Sequence, residues 1–249
     1  MAKPSSYRDL FAHLGSTRGH TPHWPIVLRQ LLARDFARQQ PDLSAYKSTV
    51  ATLRADSSWE HLEKGEDRAT RRLFKTCEDD TQSVFTIGDE RFLLLGWQWP
   101  NQAGKRGCRA DLVGLNRTGG LVVFEAKGPV NTDSPLQAML EGLDYLVHLT
   151  LRQNFAQIEA LYKQLATEST SDLPFPPKHF SGKKPSLLAP HEVIVLAPSA
   201  YYERYTRSGK TAGRGHGWHE FAGSATADSV TLRFRYAKTD FKETSATWV

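Results

Sequence analysis

Few cysteines and no long apolar run set the first limits on this chain of 249 residues. Its two cysteines, Cys77 and Cys108, lie far apart and have no metal-ligand spacing. This predicts reduced thiols in a cytoplasmic protein rather than a disulfide framework or a cysteine-bound zinc ion. No stretch approaches the roughly 20 apolar residues that a transmembrane helix needs, and no apolar segment follows the first residues as it would in a signal peptide. We therefore expect a cytoplasmic protein with no membrane partner.

The sequence also lacks internal repeats and any cofactor-binding fingerprint. The glycine-rich segment 213–217 has neither the lysine nor the hydroxyl spacing of a phosphate-cradling loop. The formal charge of +5 and the pI of about 9.2 suit a nucleic-acid partner, although proteins with other functions are equally basic. An enzyme for small molecules on an unrelated α/β scaffold is a further hypothesis, which predicts a deep pocket and no basic groove.

The most informative stretch consists of two short apolar runs, at 109–115 and 121–127, on either side of the turn residues 116–120. This pattern is typical of a β-hairpin. The second run is too apolar for an exposed strand, which favours a central, buried one. Strand character also appears at 83–87, 91–99, 192–197 and 230–236, and a long surface loop is predicted at about 167–190.

The buried strand of this hairpin ends in two charged residues, Glu125 and Lys127. Residues two apart on a strand share a face, and Asp111 lies on the neighbouring strand. Burying a carboxylate and an ammonium group is costly unless they pair, bind a metal or take part in chemistry. The three residues are therefore either a structural ion pair beside a turn-capping aspartate or a functional site.

The arrangement resembles that of the PD-(D/E)XK nuclease superfamily, which has an acid on one strand and an acid, any residue and a lysine on the next. Asp111, Glu125 and Lys127 match this motif, whereas Ala110 stands where the family motif has proline. The hairpin and the helix after it are also similar to those of DNA-repair nucleases of the archaeal mismatch and flap type. The resemblance implies an α/β fold with a restriction-endonuclease-like core, in which a mixed central sheet is flanked by helices. We assign this nuclease-like domain to residues 56–249 and expect a helical N-terminal extension at 1–55.

The resemblance also implies a chemistry, the hydrolysis of phosphodiester bonds with Mg²⁺ or Mn²⁺, which prefer hard oxygen ligands. Asp111 and Glu125 would supply carboxylates to the metal, and the backbone carbonyl of Ala126 a further ligand. Lys127 would orient the attacking water and stabilise charge on phosphorus. Since neighbouring carboxylates raise the pKa of a lysine, we favour this charge role over that of a general base.

Another candidate acid lies in a helix predicted to begin near Trp59, after a capping Ser57 or Ser58. Its apolar stripe consists of Trp59, Leu62, Ala69, Leu73 and Cys77, with Glu66 in the middle. In the resembled family the first core helix often supplies an acid to the metal site, so Glu66 is the first choice and Glu63 the alternative. The opposite face carries Lys64, Arg68, Arg71 and Lys75, which form either a solvated face or a contact for nucleic acid.

The candidates for contact with the substrate are Gln137, Lys105, Arg106, Arg68 and Arg214. Gln137 lies early in the helix that follows the hairpin, which Asp133 or Ser134 can cap. Lys105 and Arg106 belong to the loop that leads into the Asp111 strand, and Arg214 belongs to the glycine-rich segment. Each of these positions also has a plain interpretation as a solvated side chain.

The sequence thus predicts a Mg²⁺-dependent endonuclease, with DNA favoured over RNA as its substrate. The alternative is a non-catalytic nucleic-acid-binding module or complex subunit on the same fold. A homodimer would be required for simultaneous cutting of both strands of a duplex by one site per chain. Restriction, repair and defence against foreign DNA are all compatible with this chemistry.

Overall fold

The computed structural model describes residues 65–100, 109–150, 152–169, 174–206, 218–227 and 230–249. The predicted N-terminal extension at 1–55 lies outside these ranges, as does the loop that contains Lys105 and Arg106. Among the helices in the described ranges, none combines the length and the apolar character that a membrane crossing requires.

The described chain contains four α-helices and eight strands, and four consecutive strands follow the first helix. The helices are α1 (Glu66–Thr81), α2 (Pro135–Thr150), α3 (Arg152–Thr167) and α4 (Ser199–Thr206). The strands are β1 (Val84–Ile87), β2 (Glu90–Pro100), β3 (Arg109–Leu115), β4 (Leu121–Ala126), β5 (His191–Ala197), β6 (Gly223–Ala227), β7 (Val230–Lys238) and β8 (Ser245–Trp248). Short 3₁₀ turns lie at Lys178–Phe180 and Trp218–Phe221.

The predicted hairpin is confirmed. β3 and β4 pair antiparallel, with Leu112 opposite Phe124. Asn116 ties the turn between them, because its side-chain oxygen accepts hydrogen bonds from the N–H groups of Thr118 and Gly120. The strands predicted at 83–87, 91–99, 192–197 and 230–236 are confirmed as β1, β2, β5 and β7. The strands β6 and β8 were not predicted.

The predicted restriction-endonuclease-like fold, an open mixed sheet flanked by helices, is wrong, because the sheet closes on itself. The strands follow the order β5-β4-β3-β2-β1-β8-β7, and β7 then pairs with β5 along Leu232–Lys238. In the described chain these seven strands form a closed, mixed barrel, and β6 is attached to β7. Closure depends on the short β8, in which Ser245 and Ala246 pair with β1 and Thr247 and Trp248 with β7.

Apolar side chains from all seven strands of the ring form one cluster, which we place in its interior. Phe124 lies between two other aromatic rings of this cluster. Its ring centre is 5.8 Å from that of Phe85 and 5.6 Å from that of Phe92, and both contacts are edge to face. Leu73 and Cys77 of α1 belong to the same cluster, so α1 packs against the interior.

A second apolar cluster joins α2 and α3 to the other face of β3, β4 and β5. Gly142 determines how closely α2 approaches this face. A Cβ atom at Gly142 would lie 2.5 Å from Val193 Cγ1 and 3.5 Å from Glu125 Cβ. Any side chain larger than that of glycine would therefore push α2 away from β4 and β5.

The strands β6, β7 and β8 line an open cavity of about 480 Å³ that contains several charged residues. Arg235 donates hydrogen bonds to Glu90 through both terminal nitrogens, and its guanidinium carbon lies 3.3 Å from the ring centre of Trp248. The buried Glu192 lies 3.5 Å from Arg235 and 3.7 Å from Arg233. Because both guanidinium groups have carboxylate neighbours, this cavity offers an anion little net attraction.

We expect Phe124→Ala to lower the free energy of unfolding by about 3–5 kcal/mol, because truncation would leave a cavity in the centre of the ring. Leu188→Ala is the matched control, since Leu188 is 85% exposed and its truncation should change stability by less than about 0.5 kcal/mol. Urea unfolding measures both effects. Equally small losses in the two variants would contradict a closed, packed interior.

A pH dependence is expected from His191, which is 1% exposed and accepts a hydrogen bond at Nδ1 from the Leu121 N–H at 3.0 Å. Burial lowers the pKa of His191 to about 4, whereas an unfolded chain has a value of about 6.5. Between these values the unfolded chain takes up a proton that the folded chain does not. The stability contribution is therefore present above the unfolded pKa and is lost as the pH falls towards the folded pKa.

As the pH falls from the unfolded to the folded pKa of His191, we expect the free energy of unfolding to decrease by up to about 3 kcal/mol. His191→Gln should remove this part of the pH dependence. Urea unfolding of the wild type and the variant at a series of pH values between neutral and about 4 measures it. The same slope in both proteins would argue against a buried, neutral histidine.

Candidate active site

The three motif residues meet at one end of the β3–β4 hairpin. The register that pairs Leu112 with Phe124 continues so that Asp111 lies opposite Glu125, and Lys127 follows two residues later. All three are buried, with exposed fractions of 9% for Asp111, 3% for Glu125 and 5% for Lys127. Three ionisable groups therefore share a site from which water is largely excluded.

Both carboxylate oxygens of Asp111 are held by hydrogen-bond donors. The Ala126 N–H donates to Oδ2 at 2.8 Å, and Gln98 Nε2 donates to Oδ1 at 3.2 Å. Burial raises the pKa of Asp111 to about 7, while the Ala126 N–H and the charge of Lys127 oppose this rise. Without a bound cation, this carboxyl group therefore changes its charge near neutral pH.

The two carboxylate oxygens of Glu125 have different surroundings. Its Oε1 accepts a hydrogen bond from Lys127 Nζ at 2.7 Å, whereas Oε2 is buried and has no hydrogen-bond partner among the described residues. Burial raises the pKa of Glu125 well above its ordinary value; Lys127 opposes this rise and Asp111 adds to it. A buried carboxylate oxygen without a partner is costly, so its presence requires an explanation.

One residue of this site, Glu141 on α2, was missed by the sequence analysis. Its Oε2 accepts a hydrogen bond from Lys127 Nζ at 3.1 Å, and its Oε1 accepts one from the Tyr145 hydroxyl at 3.2 Å. A signal was present, because Glu141 lies one helical turn after Gln137 and therefore on the same face. The sequence pattern does not show how closely α2 packs, and that distance brings Glu141 to Lys127.

Lys127 balances the negative charges of this cluster. Burial acts to lower its pKa, but the charges of Glu125 and Glu141 outweigh burial, and the net pKa is raised. Asp133 Oδ2 lies 4.0 Å from Lys127 Nζ and adds a further negative charge. The lysine therefore stays an ammonium group at neutral pH.

Glu66 lies at the start of α1 rather than within an apolar stripe. Gly65, with a φ of 126°, precedes the helix, so the prediction of one continuous helix from near Trp59 is wrong. Glu66 Oε1 accepts hydrogen bonds from the Gly128 N–H at 2.7 Å and from Asn131 Nδ2 at 2.6 Å. Glu66 thus ties α1 to the loop that follows β4.

The other predicted residues are less closely connected to the site. Gln137 is half-buried in the first turn of α2, and its N–H donates to the capping Ser134 hydroxyl at 3.2 Å. Arg68 is exposed on α1, whereas Arg71 is buried and lies 4.7 Å from the ring centre of Trp97. The prediction that the cations of this helix face are exposed is therefore wrong for Arg71. Outside the described residues lie Lys105, Arg106, Arg214 and Glu63.

The donor atoms around Glu125 determine whether a metal ion fits the site. Asp111, Glu125 and Glu141 provide carboxylate oxygens, which Mg²⁺ and Mn²⁺ prefer, and a cation would satisfy the unpartnered Glu125 Oε2. In the described ranges, no group of three or more His, Cys, Asp or Glu side chains is arranged as a metal site. A cation here would therefore depend on few side-chain ligands and would need backbone or water oxygens for the rest, as Mg²⁺ often does.

Comparison with known proteins leaves the function to be inferred from this geometry. No protein-family model, no curated protein and no solved structure matches the chain. The contacts of Asp111, Glu125, Lys127 and Glu141 are therefore the basis for a functional assignment.

We expect Lys127→Met to lower the free energy of unfolding by about 3–5 kcal/mol at mildly alkaline pH in EDTA, because it leaves Glu125 and Glu141 without a countercharge. Added Mn²⁺ should restore part of the lost stability, since a cation would supply the missing charge. Urea unfolding with and without Mn²⁺ measures both effects.

Lys75→Met is the matched control for this substitution. Lys75 Nζ lies 2.7 Å from Glu78, and its side chain is 45% exposed. A pair of this kind contributes less than about 1 kcal/mol, so the control should lose little stability. If Lys127→Met loses no more than Lys75→Met, the buried cluster does not depend on the charge of Lys127.

Proposed function

We propose that the protein is a Mg²⁺- or Mn²⁺-dependent nuclease that hydrolyses phosphodiester bonds at the site formed by Asp111, Glu125 and Lys127. The observation that carries this proposal is the buried Oε2 of Glu125, which has no hydrogen-bond partner in the described part of the chain. The charge of Asp111 adds to burial in raising the pKa of Glu125. A divalent cation held by Asp111 and Glu125 would offset the unpartnered oxygen and the repulsion between the two carboxylates.

Each residue has a role that follows from its contacts. A bound cation would neutralise phosphate oxygens and lower the pKa of the attacking water. Asp111 and Glu125 would hold that cation, with the Ala126 carbonyl as a further ligand by resemblance to the PD-(D/E)XK nucleases. Glu66 is the remaining acid of the proposed site, and its Oε1 also positions the loop after β4.

Lys127 would stabilise the negative charge that develops on the phosphate. Its ammonium group has three N–H donors, and two of them are directed to Glu125 at 2.7 Å and Glu141 at 3.1 Å. The third donor is then available to a phosphate oxygen or to the attacking water. The two carboxylates fix the position of the ammonium group and keep it charged.

The preference for DNA rests on the resemblance at Asp111, Glu125 and Lys127. It does not rest on the overall fold, because the closed sheet differs from the fold that the resemblance implied. The formal charge of +5 is compatible with a nucleic-acid substrate of either kind.

A second candidate function is that of a non-catalytic nucleic-acid-binding protein. The bridging of Glu125 and Glu141 by Lys127 favours a structural rather than a catalytic role for these acids, because a purely structural ion cluster has the same contacts. In this case the acids would serve stability, and nucleic acid would bind without being cut.

We expect the wild type to cleave DNA with Mg²⁺ or Mn²⁺ and to be inactive in EDTA. Asp111→Ala and Lys127→Ala should each lower the rate by at least about 100-fold, because one removes a metal ligand and the other the positive charge near the phosphate. The assay compares single-stranded DNA, duplex DNA and RNA, and Lys242→Ala, whose side chain is 63% exposed, is the surface control that should keep full activity.

The outcomes separate the two candidate functions. Circular dichroism and thermal melting first establish that each variant is folded. Cleavage that survives both site substitutions would overturn the proposal. A folded wild type that retards nucleic acid in a gel but cuts none of the three substrates supports the binding protein instead.

A further inference from the structure

We propose that Gln98 is a positioning residue of the metal site, which aims the carboxylate of Asp111 and is itself held by Asp67. This inference rests on the proposed function and adds two residues that the nuclease motif does not contain. Gln98 lies near the end of β2 and is buried, whereas Asp67 is exposed in the first turn of α1.

The amide of Gln98 connects two acids on different elements. Its Nε2 donates to Asp111 Oδ1 at 3.2 Å and to Asp67 Oδ1 at 3.0 Å. The nitrogen of the amide, and not its oxygen, therefore faces both acids, which matches the acceptor oxygens of a carboxylate. Asp67 therefore determines the orientation in which the amide is presented to Asp111.

With this contact, both oxygens of Asp111 have a fixed direction. The Ala126 N–H holds Oδ2 at 2.8 Å and Gln98 holds Oδ1. Each carboxylate oxygen can accept more than one bond, so both retain capacity for a cation. Without Gln98, the Ala126 N–H would be the remaining one of these two donors to Asp111.

The backbone at Gln98 is also specialised for this contact. Its φ is 51°, in the left-handed region that residues other than glycine rarely adopt. The preceding Trp97 donates its indole N–H to Thr70 of α1 at 3.0 Å. Consecutive side chains of a regular strand point to opposite faces. Trp97 and Gln98 nevertheless both form hydrogen bonds with α1. The left-handed backbone at Gln98 lies at the point where the regular alternation is interrupted. Such a conformation persists only where its surroundings hold it, and it is frequent at functional sites.

The test compares Mn²⁺ binding by the wild type and by Gln98→Met, measured by isothermal titration calorimetry well below the melting temperature of each protein. Methionine has nearly the length and flexibility of glutamine but no N–H donor. We expect Mn²⁺ affinity to fall by about 10- to 100-fold, as is typical when a group that orients a metal ligand is removed. A purely structural role would lower the melting temperature in EDTA and leave the affinity of the folded protein unchanged.

A second pair of variants, at the exposed Asp67, keeps the test informative if Gln98→Met does not fold. Asp67→Asn and Asp67→Ala remove the same charge, but only asparagine retains an oxygen that accepts from the Gln98 amide. We expect Asp67→Ala to bind Mn²⁺ more weakly than Asp67→Asn. Equal affinities in these two variants would overturn the role of Asp67.

The outcomes also distinguish this inference from the proposed function. A wild type that binds no Mn²⁺ overturns the metal site and this inference with it. A wild type that binds Mn²⁺, with Gln98→Met binding equally tightly, overturns the positioning role of Gln98 alone and leaves the proposed nuclease site standing.

Discussion

The buried positive charge of Lys127 is the interaction on which the rest of the site depends. An ammonium group in this position requires carboxylate partners, and they come from two elements, Glu125 on β4 and Glu141 on α2. Loss of Lys127 would leave both acids without a countercharge in a site that excludes water. The ion cluster therefore holds α2 against the sheet, and Gly142 permits the required distance, because a side chain there would collide with Val193.

The closed sheet gives this cluster a rigid base. The interior of the ring is packed with aromatic and aliphatic side chains from all seven of its strands, and Phe124 lies among them beside Glu125 in the sequence. The opposite face of the same strands packs against α2 and α3. β4 is thus buried on both sides, and a strand held in this way can position a carboxylate more exactly than a loop can. The same rigidity explains how the strained backbone of Gln98 is maintained.

Much of the local structure could be predicted from the sequence. The alternation of apolar residues and the turn cluster at 116–120 predicted the β3–β4 hairpin, and Ser134 was one of two candidate caps for α2. The predicted start of α1 was wrong because Gly65 interrupts a sequence pattern that otherwise has helical periodicity. The closed sheet was not predicted, since β8 has four residues and no strong strand pattern. Glu141 and Gln98 were overlooked because each is an ordinary polar residue until its neighbours are known.

The sequence by itself determined the local elements and the motif that places Asp111, Glu125 and Lys127 near one another. Strand alternation and turn chemistry act over a few residues, so they can be read without knowledge of the fold. Only the tertiary structure decided that the sheet closes through β8, that α2 brings Glu141 to Lys127, and that Arg71 is buried rather than exposed. These features depend on which strand edges pair and how closely helices pack. Strand pairing and helix packing are both determined by contacts between residues that are distant in the sequence, and a local sequence pattern does not predict such contacts.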